Sequence, residues 1–101
     1  MADRIELRDT FETDLAEVSW KELRIHLKRD AIILVTDDLN LVDVAVDIAA
    51  DNKTQVALWI SSGKLTKPSS EQIEQWTAML DTPFRMLIAQ PYILVQAVNH
   101  A

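Results

Sequence analysis

The chain has 101 residues and a formal net charge of -6, with ten Lys and Arg set against sixteen Asp and Glu. Such a length fits one domain, residues 1–101, and an apolar fraction of 49% separates it from disordered chains. One Gly, no Cys and two His exclude disulfide frameworks, thiol nucleophiles, iron–sulfur clusters, Cys-based or three-imidazole zinc sites and the glycine-rich loops that curl around phosphates.

Residues 1–8 alternate charge with aliphatics, Ile5 and Leu7 lying between Arg4, Glu6 and Arg8, which predicts a short edge strand or a flexible extended arm. Asp9 with Glu12 and Ser19 with Glu22 read as capping boxes. The stripes Phe11, Leu15, Val18 and then Trp20, Leu23, Leu27 predict two short helices or one bent helix up to about Arg29. His26, between Ile25 and Leu27 near that helix end, reads as a cationic side chain suited to the dipole.

The run Ala31 to Val35 is apolar on both alternating faces and predicts a central strand covered above and below. Asn40 with Asp43 starts a helix carrying Leu41, Val44, Ala45 and Ile48. Asn52 with Gln55 starts the next, which carries Val56, Leu58, Trp59 and Ile60 and stops at Gly63, a residue suited to a left-handed cap. Ser69 with Gln72 caps a further helix bearing Ile73, Trp76, Met79 and Leu80. Residues 84–98 are extended in character, and Pro91, which cannot donate to a ladder, predicts a kinked strand rather than a tight hairpin. The fold class that emerges is α+β, with four to five short helices around a small sheet built from residues 31–36 and 84–98.

Three segments, DAIILVTDDLNLVDVAVDIAADN from Asp30, WISSGKLTKPSSEQIEQW from Trp59 and RMLIAQPYILVQ from Arg85, follow one another in an order that resembles a family of roughly hundred-residue bacterial proteins. That family, familiar from cyanobacteria and proteobacteria, is known as a domain of unknown function. The resemblance covers about Phe11 to Gln96 and implies a small bacterial intracellular protein. It brings no catalytic residues to transfer.

Five Asp and no Lys or Arg fall within the fifteen residues from Asp37 to Asp51. Asp43, Asp47 and Asp51 share a helix face at a spacing of four, a pattern that suits either a hard cation or, more simply, a helix start, a solvent-facing side chain and a neighbouring cap. Lys53, Lys64 and Lys67 around the turn after Trp59 superficially resemble a DNA-reading motif. The turn from Gly63 to Pro68 is too long for one, and Glu71 and Glu74 stand where base and phosphate contacts want Arg, Lys or Asn. Arg85, Gln90, Tyr92 and Gln96 lie among apolar neighbours and need partners; they line a small pocket or protein groove, or else satisfy backbone near Pro91.

The expectation is therefore a small non-enzymatic protein acting through protein contacts in a regulatory or adaptor role, including self-association through a strand edge near Pro91. The alternative is a small-ligand or divalent-cation-binding domain. Asp43, Asp47, Gln90, Tyr92 and Gln96 are the interaction candidates, with no catalytic, cofactor or metal residues nominated. Nucleic acid is disfavoured by the acidic balance. The first ten residues hold no apolar run and the longest uncharged stretch, Met86 to Ala101, is interrupted by polar residues, so the expected location is cytoplasmic, away from membranes.

Overall fold

The apolar run after Asp30 becomes β2 (Ile32–Val35), and its neighbours explain why both faces are apolar. A computed structural model, which describes residues 4–98, places it in a five-stranded mixed sheet of order β1-β4-β5-β2-β3. β2 runs parallel to β5 (Tyr92–Ala97) and antiparallel to the two-residue β3 (Leu65–Thr66). β5 in turn pairs antiparallel with β4 (Pro83–Ala89), which carries β1 (Ala16–Ser19) on its outer side.

Successive side chains of a strand point to opposite faces, and the register sorts them into two cores. Val35, Leu65, Leu87, Ala89 and Leu94 face α1 (Arg4–Asp14) and α3 (Leu41–Ala49), with Val56 and Trp59 of α4 (Lys53–Ser61) packed at the margin. Ile32, Phe84, Ile93 and Val95 face the other way, against Trp20 and Leu23 of α2 (Trp20–Leu23) and Ile73 and Trp76 of α5 (Ser70–Ala78). Trp20, Trp76 and Phe84 form an aromatic triangle there, with centroids 4.9–5.9 Å apart and the Trp76–Phe84 pair edge-on. That geometry favours ring edges meeting ring faces, and the buried Trp20 indole donates to the Thr77 hydroxyl at 3.2 Å.

The architecture is the expected α+β, a helix-rich fold around a small sheet. Several boundaries differ. Residues 4–8 open α1 instead of forming an edge strand or arm, and residues 1–3 of that expectation lie outside the described residues. Asp9 sits inside α1, where its carbonyl accepts the Thr13 hydroxyl. The strand near the N-terminus is β1, whose four residues owe their extension to pairing with β4, a tertiary cause that overrides the helical stripe through Val18. α2 then passes directly into a 3₁₀ helix over Arg24–Arg29, which includes His26.

The terminal segment is a hairpin, not one kinked strand. Six residue pairs from Phe84↔Ala97 to Ala89↔Tyr92 close it, burying Leu87 against one core and Phe84 against the other. The Gln90–Pro91 peptide is cis and lies between the closing pair Ala89 and Tyr92. Pro91 thus occupies a hairpin tip. The strand edge expected beside it is reduced to Leu87–Ala89, where β4 outruns its pairing with β1, the last pair being Ala16↔Met86. No helix among the described residues is long and apolar enough to cross a membrane.

Candidate functional site

The reversal between α3 and α4 shapes a concavity. At the end of α3 the Asp51 amide donates to the Ile48 carbonyl and the Asn52 amide to the Asp47 carbonyl, at 3.1 and 2.9 Å. These two bonds satisfy carbonyls that the last helical turn leaves open, with the residue between them left-handed. Here that residue is Asp51, at φ 58°. Asn52 then serves the next helix as well, its Oδ1 accepting from the Gln55 amide and its Nδ2 donating to Asp47 Oδ1 at 3.4 Å. α4 ends in the same way at Gly63, φ 77°, with Gly63 and Lys64 amides donating to the Ile60 and Trp59 carbonyls.

Turned back in this manner, α4 presents Lys53, Val56, Ala57 and Ile60 to a groove of about 910 Å³. The spacing of three and four puts them on one helix side. Ile33, Ile48 and Leu65 form an apolar floor, and the hairpin tip, Gln90 to Tyr92, forms the opposite bank. Charges line the rim in balance: Asp47 and Asp51 against Lys53 and Lys67. Asp51 lies 3.9 Å from Lys53, and Lys67 pairs with Asp30.

Of the residues singled out from sequence, Asp47, Gln90 and Tyr92 come together around this groove. Asp47 is only 8% exposed, so the solvent-facing role read from its helix position is corrected: the Asn52 side chain closes over it. Asp43 is elsewhere. It pairs with Arg8 of α1 and thereby ties α1 to the start of α3, where Asn40 Oδ1 caps the Val42 and Asp43 amides. The aspartate stripe is thus divided among three local tasks, and no cluster of three His, Asp or Glu suited to a metal ion occurs among the described residues.

Gln96 is also outside the groove. Buried to 6% exposure, its Nε2 donates to the Thr36 and Leu39 carbonyls at 2.8 and 2.7 Å, pinning the loop between β2 and α3. A second tie crosses the same loop. Asp38 accepts from Lys64 Nζ and from the Thr36 hydroxyl, and the Lys64 ammonium, ahead of the hydroxyl, holds its carboxyl down to about 2.

No motif nominates Val56, Ala57 or Ile60, and Lys53 and Lys67 stand out in the sequence only through the discounted DNA-reading pattern. The available signal was the run Val56 to Ile60, five consecutive apolar residues where a one-sided helix needs only a stripe. α4 and α5 pack on opposite faces of the sheet, which removes the helix-turn-helix arrangement that the lysines near Gly63 suggest.

Residues 6–97 match the family described as Protein of unknown function (DUF2288). The chain belongs to that family. As a DUF2288 member it is similar over 94% of its length to a solved structure described as the NMR solution structure of PA1075 from Pseudomonas aeruginosa. The two share 28% identity, with a TM-score of 0.78 and 88% of the other chain covered. A search of curated proteins finds no match. These likenesses agree with the bacterial family of unknown function that the sequence resembles.

Proposed function

We propose that this DUF2288 protein is a non-enzymatic cytoplasmic protein that works through protein contacts, in a regulatory or adaptor role, and that its contact surface is α4 with the groove beside it. The observation carrying this reading is that none of the nine residues of α4 is buried, although five in succession are apolar and Leu58 and Ile60 are 57% and 59% exposed. Helices this short owe their stability to packing rather than propensity, and apolar surface that runs on into a groove, as Val56, Ala57 and Ile60 do here, commonly marks an interaction site. A photo-crosslinking residue placed at Ile60 in the native host tests the reading. Adducts with protein at Ile60, but not at Glu74 on the opposite face of the sheet, are expected; absence of any adduct at Ile60 overturns it.

A second reading rests on the groove itself, since about 910 Å³ falls within the range that seats small molecules and Gln90, Tyr92 and Asp47 converge there. A bound metabolite at a hundred times its dissociation constant adds about 2.7 kcal/mol to stability. Thermal unfolding unmoved by a metabolite panel counts against it.

A further inference from the structure

We infer that the partner at this surface is a second copy of the chain, with α4 packed antiparallel against the α4 of its twin about a two-fold axis near Ala57. The inference rests on the contact-surface reading above and names its occupant. A two-fold interface uses the same patch on both copies, so that patch must carry both the projecting and the receiving element. This one does: Ile60 projects at 59% exposure beside a groove floored by Ile33, Ile48 and Leu65.

Charge selects the same face. Two copies of a chain carrying -6 repel across most approaches, yet around the groove Lys53 and Lys67 stand against Asp47, Asp51 and the Asp30 that pairs with Lys67, so this face carries little of the net charge and like chains meet there with small repulsion. The helix ends are complementary as well. α4 has no basic residue in its last turn, and an antiparallel crossing at Ala57 sets Lys53 of one copy against Ser61 of the other, where a cation suits the negative end of a helix dipole. Ala57, small and exposed at the centre, lets the two axes approach closely. A standard interface takes about 800 Å² from each partner, about an eighth of the 6651 Å² that the chain exposes.

The natural chain has no cysteine, so an introduced thiol is unique. Sedimentation equilibrium at millimolar concentration is expected to give twice the 11.5 kDa chain mass. Ile60→Lys is expected to return the single-chain mass with an unchanged far-UV circular dichroism spectrum, and Ala57→Cys, but not Glu74→Cys, to oxidise to a covalent dimer. A single-chain mass at every concentration overturns the inference, as does a dimer that survives Ile60→Lys or one whose Ala57→Cys form does not crosslink. Failure here is separable from failure of the contact reading. A monomer whose Ile60 crosslinker still captures another protein in cells defeats only the second copy, and a monomer with no adduct at all defeats both.

Discussion

Asp38 is exposed, with its carboxyl held to about 2 by Lys64 and Thr36. Because the folded value lies below the ordinary 3.8, its contribution to stability is complete above the unfolded value and disappears as the pH falls through the folded one. Carboxyl carbon chemical shifts should therefore show Asp38 titrating near 2, and Lys64→Ala should move the midpoint back toward the ordinary range; a midpoint already ordinary in the natural chain contradicts the contact. Gln96 makes a different demand. Replacing it with Ala leaves the Thr36 and Leu39 carbonyls without their donor, a loss of about 2 kcal/mol for buried polar groups. Urea unfolding should show the midpoint falling at constant slope, and an unchanged midpoint would mean water replaces the amide.

Among the elements, the turn between α3 and α4 is the clearest to manipulate. Asp51 holds a left-handed conformation at φ 58° that costs a side-chain-bearing residue about 1 kcal/mol, so Asp51→Gly should stabilise by about that much in thermal unfolding, whereas Asn40→Ala, which removes the cap of α3, should destabilise by about 1 kcal/mol. If both changes move stability in the same direction, the cap assignments are wrong. These terminators were legible in the sequence. Asn40, Asn52, Ser69 and Gly63 act within three or four residues of themselves, and β2 showed its two covered faces in its own composition. β1 and β3 were not legible, since each is short and is held extended by β4 or β2 rather than by its own residues. The hairpin was hidden because two-residue turns favour Gly or Asn, while this tip is Gln90 and Pro91 and its strands are held by their pairing and by burial in both cores. The groove escaped for a related reason. Its floor, helix and bank come from residues between 33 and 92, of which the sequence marks Asp47, Asp51, Gln90, Pro91 and Tyr92 without placing them together.

At the scale of the molecule, one sheet separates two hydrophobic clusters that share strands but few side-chain neighbours. Val44→Ala on one side and Phe84→Leu on the other should each cost about 1 to 2 kcal/mol, and their combination should equal the sum within about 0.5 kcal/mol. A larger coupling would show that the sheet transmits packing changes from face to face. The strands common to both clusters nevertheless make them one cooperative unit, so chemical and thermal probes on either side should report coincident transitions. The double use of Asn52, which finishes α3 and begins α4 with no residue to spare, has a kinetic consequence. A helix joined so directly to the core is already in its presented orientation before any encounter, and little chain entropy remains to be lost on docking. Association at α4 should accordingly proceed in a single bimolecular phase, linear in concentration, without the slower rearrangement that follows when a flap must first be ordered.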